Sequence, residues 1–182
     1  MKTTHENCYS LTMAANDIKL LKNKYGTELF RTEANVKLGM APGDCVVVAG
    51  TGTNYVDLLL DGMPTRGTDI FVGVTDSGAA NIANTASANG RQIVNLVGPG
   101  TILEGRGVLA SNTNTDAKLL AILNDVCNFN RSAATAAGLL TINTTTTTAA
   151  KSSTLSLVII NGDVAKGTIR VAVQTGFFAS NI

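Results

Sequence analysis

The 182-residue chain predicts a mainly β fold: a small β-barrel or β-tulip-like sandwich, with one short helix and an extended N-terminal arm. Three observations predict it. First, two β-branched runs, Leu155–Ile160 and Thr168–Val173, flank a centre containing Asn161-Gly162-Asp163 and Lys166-Gly167. Residues of these types tolerate positive φ, so the chain can reverse there and pair the runs as a hairpin. Second, Ile169, Val171 and Val173 alternate with Thr168, Arg170 and Ala172, the period of a strand with one buried face. Third, turn-forming glycines recur between β-branched runs at roughly ten-residue intervals through Val36–Ala110, the spacing of a barrel or sandwich.

Residues 1–34 differ from the rest and form the expected arm, with residues 35–182 as the β-rich domain. Asn16 or Asp17 is placed to cap a short helix through Lys24, with Ile18, Leu21 and Tyr25 near one face and Gly26 ending it. Lys19, Lys22 and Lys24 then read as a solvated helix face, since acidic residues lie close by. Two readings of the segment stay open: an arm lying on a neighbouring surface, or a strand that completes the main sheet.

Beyond the arm, strands are expected at Asp44–Ala49, Tyr55–Leu60, Thr68–Val74, Arg91–Val97 and Thr101–Leu109. Pro42-Gly43-Asp44, Asp61-Gly62, Arg66-Gly67, Asn89-Gly90 and Gly98-Pro99-Gly100 are the turns between them. The small, polar stretch Ser77–Gly90 reads as a loop or flap. Asp116–Val126 breaks the alternation. Its Leu119, Leu120, Ile122, Leu123 and Val126 make a broad apolar stripe, suited to a helix that plugs one end of a barrel. The threonine-rich stretch 143–153 joins a strand at Leu139–Asn143 to the final hairpin.

Composition narrows the function. Charged residues are 15% of the chain, against about a quarter in soluble domains generally. A surface so poor in charge is expected to be partly covered by copies of itself or by a partner. The net charge of +1 gives no electrostatic footprint for nucleic acid or an anionic membrane. The start of the chain lacks the apolar core of a signal peptide, so a soluble protein not exported that way is expected. His5 is the only histidine, and Cys8, Cys45 and Cys127 are widely spaced. No metal site and no cofactor is therefore expected, and Cys45 and Cys127 read as small apolar core residues in a reducing compartment.

Asp76-Ser77-Gly78-Ala79 after a β-branched strand is the one tempting catalytic element. It resembles the catalytic turn of retroviral-type aspartic proteases, in which two copies share a proton across a dimer axis. Asp-Ser-Gly is also an ordinary turn, and Gly73 and Thr75 interrupt the strand before it. Gly50-Thr51-Gly52 lacks the third glycine and the lysine of a phosphate loop and reads as a hairpin turn. Glu104 and Arg106 read as a local ion pair. No catalytic residue is expected, and the chain reads as a non-enzyme.

The order of several elements resembles the capsid decoration (cement) proteins of tailed bacteriophages. The stretch from Asn114 to Val126, then Gly138–Asn143, then the hairpin around Asn161-Gly162-Asp163 looks like the C-terminal half of that family. Pro42–Val48, Ile70–Asp76, Ile93–Val97 and Gly100–Gly105 resemble its barrel strands. The likeness spans residues 36–175 and consists of turns and apolar patterns. It implies a structural protein on the outer surface of a virion, assembled in the host cytoplasm. Such a protein clamps adjacent major capsid subunits, often as a homotrimer, with no nucleic-acid or membrane partner. Another phage part, such as a tail or head-fibre component, is the structural alternative. The interface candidates are Tyr9, Leu11, Ile18, Leu21, Tyr25, Leu29 and Phe30 on the arm, with Phe177 and Phe178 near the end.

Overall fold

The computed structural model describes residues 18–32, 40–48, 55–59, 70–78, 82, 85, 89–107, 114–132, 140–144, 147 and 157–174. Within them the protein is mainly β, with one short helix. The strands are β1 (Lys19–Lys22), β2 (Thr27–Thr32), β3 (Cys45–Val48), β4 (Val56–Leu58), β5 (Phe71–Thr75) and β6 (Gly90–Leu96). After these come β7 (Ile102–Arg106), helix α1 (Asp116–Ile122), β8 (Val126–Cys127), β9 (Phe129–Arg131), β10 (Leu140–Ile142), β11 (Leu157–Asp163) and β12 (Thr168–Val173).

One antiparallel sheet has the order β2-β6-β5-β3-β4. A parallel bridge between Arg31 and Tyr55 joins its two outer strands, so the sheet curls closed. Val46, Val56, Leu58, Val72 and Val94 form a cluster of their own, with Phe30, Val48 and Leu96 at its margin. Cys45 and Val47 of β3, with Phe71 and Val74 of β5, belong to a second and larger core. Both faces of β3 and β5 are thus covered, which is why these strands read as nearly unbroken apolar runs rather than as alternation.

The other sheet has the order β1-β7-β12-β11-β8. The chain passes from β8 through Asn128 into β9, which pairs with β10, and a bridge from Ile142 to Gly107 brings β10 back to the end of β7. Leu103, Cys127, Phe129, Leu140, Ile142, Leu157, Ile159, Ile169 and Val171 of this layer share the larger core with β3 and β5. Phe71 meets Phe129 edge to face across it, with ring centroids 5.7 Å apart.

Several expectations are corrected. Residues 18–24 are not helical: β1 pairs with β7, and Ile18 is 2% exposed within the larger core. β2 pairs with β6 along its whole length. Residues 18–32 therefore take the sheet-completing alternative, and the division at residue 34 does not separate them from the domain. Residues 1–17 lie outside the described residues. The reason lies in pairing: a short segment with one apolar position in two or three gains more from a waiting sheet edge than from an isolated helical turn.

The final hairpin forms, but its reversal is at 164–167, with Gly167 at φ +65° and its N–H donating to Val164 O at 3.3 Å. Asn161-Gly162-Asp163 lies inside β11, beside a register shift between Ile159 and Asn161. Gly162 serves packing there: a Cβ on it would sit 3.0 Å from the Leu119 side chain and 2.9 Å from Thr168 O. α1 starts on Thr115, whose Oγ1 accepts the Lys118 N–H at 3.3 Å. Leu119 and, past the helix, Val126 are buried, and Ile122 and Leu123 pack against the larger core, but Leu120 of the expected stripe is 65% exposed. Past the helix, Asn124 takes φ 69° and donates to Ile159 O at 2.8 Å, tying this end to β11. Glu104 pairs with Arg170 on β12 at 2.7 Å rather than with Arg106.

Candidate interaction surface

The interface candidates separate on burial. Ile18 is corrected to a core residue. Phe30 is half-buried against the small cluster inside the closed sheet, so it too has an internal role. Tyr25 is half-buried at the turn between β1 and β2. Its hydroxyl donates to Pro99 O at 2.9 Å, and its ring lies where a Cβ on Gly98 would stand. Tyr25 thereby clasps the β1–β2 turn to the β6–β7 turn, and the Lys24 ammonium lies 5.3 Å from its ring centroid. Leu21 and Leu29 are exposed at 41% and 45%. Tyr9, Leu11, Phe177 and Phe178 lie outside the described residues.

Strand alternation sets what stands on the outside of β2 and β6. Phe30 and Thr32 point inward with Gln92 and Val94, which leaves Leu29, Arg31, Arg91 and Ile93 on the outer face. The register places Leu29 opposite Ile93 and Arg31 opposite Arg91. Ile82 extends the arginine row by a two-hydrogen-bond bridge to Arg91, at 2.8 and 2.7 Å. That fastens Ile82, within the stretch expected as a loop or flap, to the sheet. Tyr55, bridged to Arg31, ends the row on the other side. Ile82 is 47% exposed.

One feature was not foreseen: a fully buried ion pair between Asp44 and Arg131. Arg131 Nη2 meets Asp44 Oδ1 at 2.9 Å with both side chains completely enclosed, and Arg131 Nε donates to Leu59 O at 2.8 Å. Asp44 Oδ2 accepts the Ala41 N–H at 2.8 Å. Thr75 Oγ1 accepts the Asp44 N–H at 3.0 Å and donates to Ala41 O. The Ala41–Asp44 turn reverses on Gly43 at φ 86°. Pro42-Gly43 announced the turn in the sequence, but nothing near Asp44 announced a partner 87 residues away. The pair ties Asp44, at the start of β3, to β9 and to the Leu59 carbonyl.

The other chemical candidates behave similarly. Asp76 follows β5, its N–H donates to Ile93 O at 2.9 Å, and its Oδ1 accepts the Ser77 N–H at 2.7 Å, the local geometry of a turn. Cys45 and Cys127 are buried as expected. Burial, then the Asp44 carboxylate, push the Cys45 thiol up, with Arg131 opposing. Burial, then Asp125, push Cys127 up to about 12. Reactive thiolates need the opposite surroundings. A shallow cavity of about 170 Å³ lies between Lys22, Asn23, Lys24 and Pro99-Gly100-Thr101. It is smaller than the roughly 300–1,000 Å³ usual for small-molecule sites. Among the described residues no group of three or more His, Cys, Asp or Glu is placed to hold a metal ion, and no helix is long and apolar enough to cross a membrane. The residues 49–54, read as a hairpin turn, lie outside the described ones.

Comparisons with protein-family models, with curated proteins and with solved structures return no match for this chain.

Proposed function

We propose that this protein is a structural, adhesive component that binds the outer surface of a phage capsid and bridges adjacent major capsid subunits, in the trimeric form its family resemblance implies. The observation that carries the reading is a firmly fastened body with apolar side chains on the outside of both sheets. Leu29 and Ile82 stand on the closed sheet; Leu21 and Ile160 stand on the other, and Leu120 on the helix beside it. A body that clamps several neighbours needs adhesive positions in more than one direction. Repeated weak contacts around a symmetric lattice then add through avidity. Rigidity suits the task, because an ordered binder loses less conformational freedom on docking.

Purified empty capsids incubated with the protein test the reading by sedimentation and negative-stain imaging. Co-sedimentation to saturation and added density on the shell are expected. A protein that stays in the supernatant at concentrations up to about 1 mM, where even weak binding of about −4 kcal/mol would register, rejects it.

A further inference from the structure

The outer face of β2 and β6 holds a charge conflict inside an apolar frame. Arg31 and Arg91 are directly opposed in the antiparallel register, and both are exposed. Like charges directly opposite one another destabilise a strand pair. Among the described residues neither guanidinium takes part in an ion pair. The same row carries Ile82 on one side and half-buried Tyr55 on the other, and the next row carries Leu29 and Ile93. Arginine and aromatic residues set among apolar neighbours are what the energetic centres of protein interfaces contain.

We propose that this face docks an acidic segment of a protein partner, with a carboxylate seated between Arg31 and Arg91 and apolar neighbours covering Leu29 and Ile82. The inference rests on the proposed capsid binding and places the acidic segment on the major capsid subunit. A guanidinium presents a planar fork that matches a carboxylate, and two facing forks share one carboxylate or take one each. A bound carboxylate also removes the repulsion between the arginines, so the docked face is better satisfied than the free one. Nucleic acid fits less well. A phosphate backbone asks for an extended basic track, whereas this chain has a net charge of +1 and the pair sits among leucine and isoleucine.

The test compares wild type, Arg91→Glu and Lys166→Glu by co-sedimentation with nuclease-treated empty capsids, alongside thermal unfolding of each free protein. Arg91→Glu sets a carboxylate opposite Arg31 and satisfies it from within. Its melting temperature is expected to hold or rise, while capsid affinity falls about tenfold or more. Lys166 stands on the exposed turn between β11 and β12, and Lys166→Glu, the same charge change, is expected to bind as wild type. Undiminished binding by Arg91→Glu, or equal losses in both variants, overturns the docking face while wild-type binding keeps the capsid reading. Wild-type binding that disappears on nuclease treatment overturns the protein partner in favour of nucleic acid. Failure of wild type on untreated and treated capsids alike removes the capsid reading, and this partner with it.

Discussion

Among the described residues, Asp44 and Arg131 form a fully buried ion pair. Each charge has lost its water, and each is stabilised by the other together with the Leu59 carbonyl and the Ala41 N–H. Removing one partner strands the other as an uncompensated buried charge, which costs about 3–5 kcal/mol. Arg131→Met is therefore expected to lower unfolding free energy by about that amount in urea titrations. Asp44→Asn combined with Arg131→Met should recover part of it, because asparagine still accepts the Ala41 N–H without leaving a charge behind. At Cys127 the neutral thiol is the form the fold favours. Its pKa is raised from an ordinary 9.0 to about 12, so the folded state holds the proton more tightly than the unfolded chain. The contribution is complete below pH 9 and is lost as pH rises from 9 towards about 12. Cys127→Ala is expected to flatten the loss of stability across that window, as read from urea midpoints at successive pH values. A slope identical to wild type would show that the thiol is not the group responsible.

At the scale of elements, β1 and β2 carry the largest revision of the sequence reading. They are edge partners of β7 and β6, and Ile18 seals a gap above Gly105, where a Cβ would come within 2.5 Å of its side chain. Removing residues 1–34 takes away an outer strand from each sheet, opens the closed one, and uncovers the larger core. The truncated chain is expected to lose its cooperative thermal transition and to bind a hydrophobic dye; a sharp transition retained after truncation would contradict this assignment. The strands between Cys45 and Arg106 were legible because β-branched runs bounded by glycine turns leave few alternatives. β8 and β9 were not, since Val126–Cys127 is two residues long and continues an apolar helical stripe. The stripe itself misled at Leu120, because periodicity gives a face but not how much of that face is covered.

For the whole molecule, β3 and β5 of the closed sheet share one core with the β1-β7-β12-β11-β8 sheet and the β9–β10 pair, and the buried Asp44–Arg131 pair fastens the start of β3 to β9. The candidate surface was only partly legible. Apolar character alone does not separate exposed Leu21 and Leu29 from Ile18, Tyr25 and Phe30, which face inward or into a clasp. Arg31 and Arg91 drew no notice, for 60 residues separate them and only strand register sets them face to face. By itself the sequence determined the β class, the position of most strands, the helix and the turns at Gly43, Gly100 and Gly167, because these follow from local alternation and from residues that permit positive φ. Tertiary structure alone decided the closure of the sheets, the inclusion of β1 and β2, the buried ion pair and the opposed arginines. Each of these depends on which distant strands become neighbours, and pairing is settled by burial summed over the whole chain rather than by any segment's own pattern.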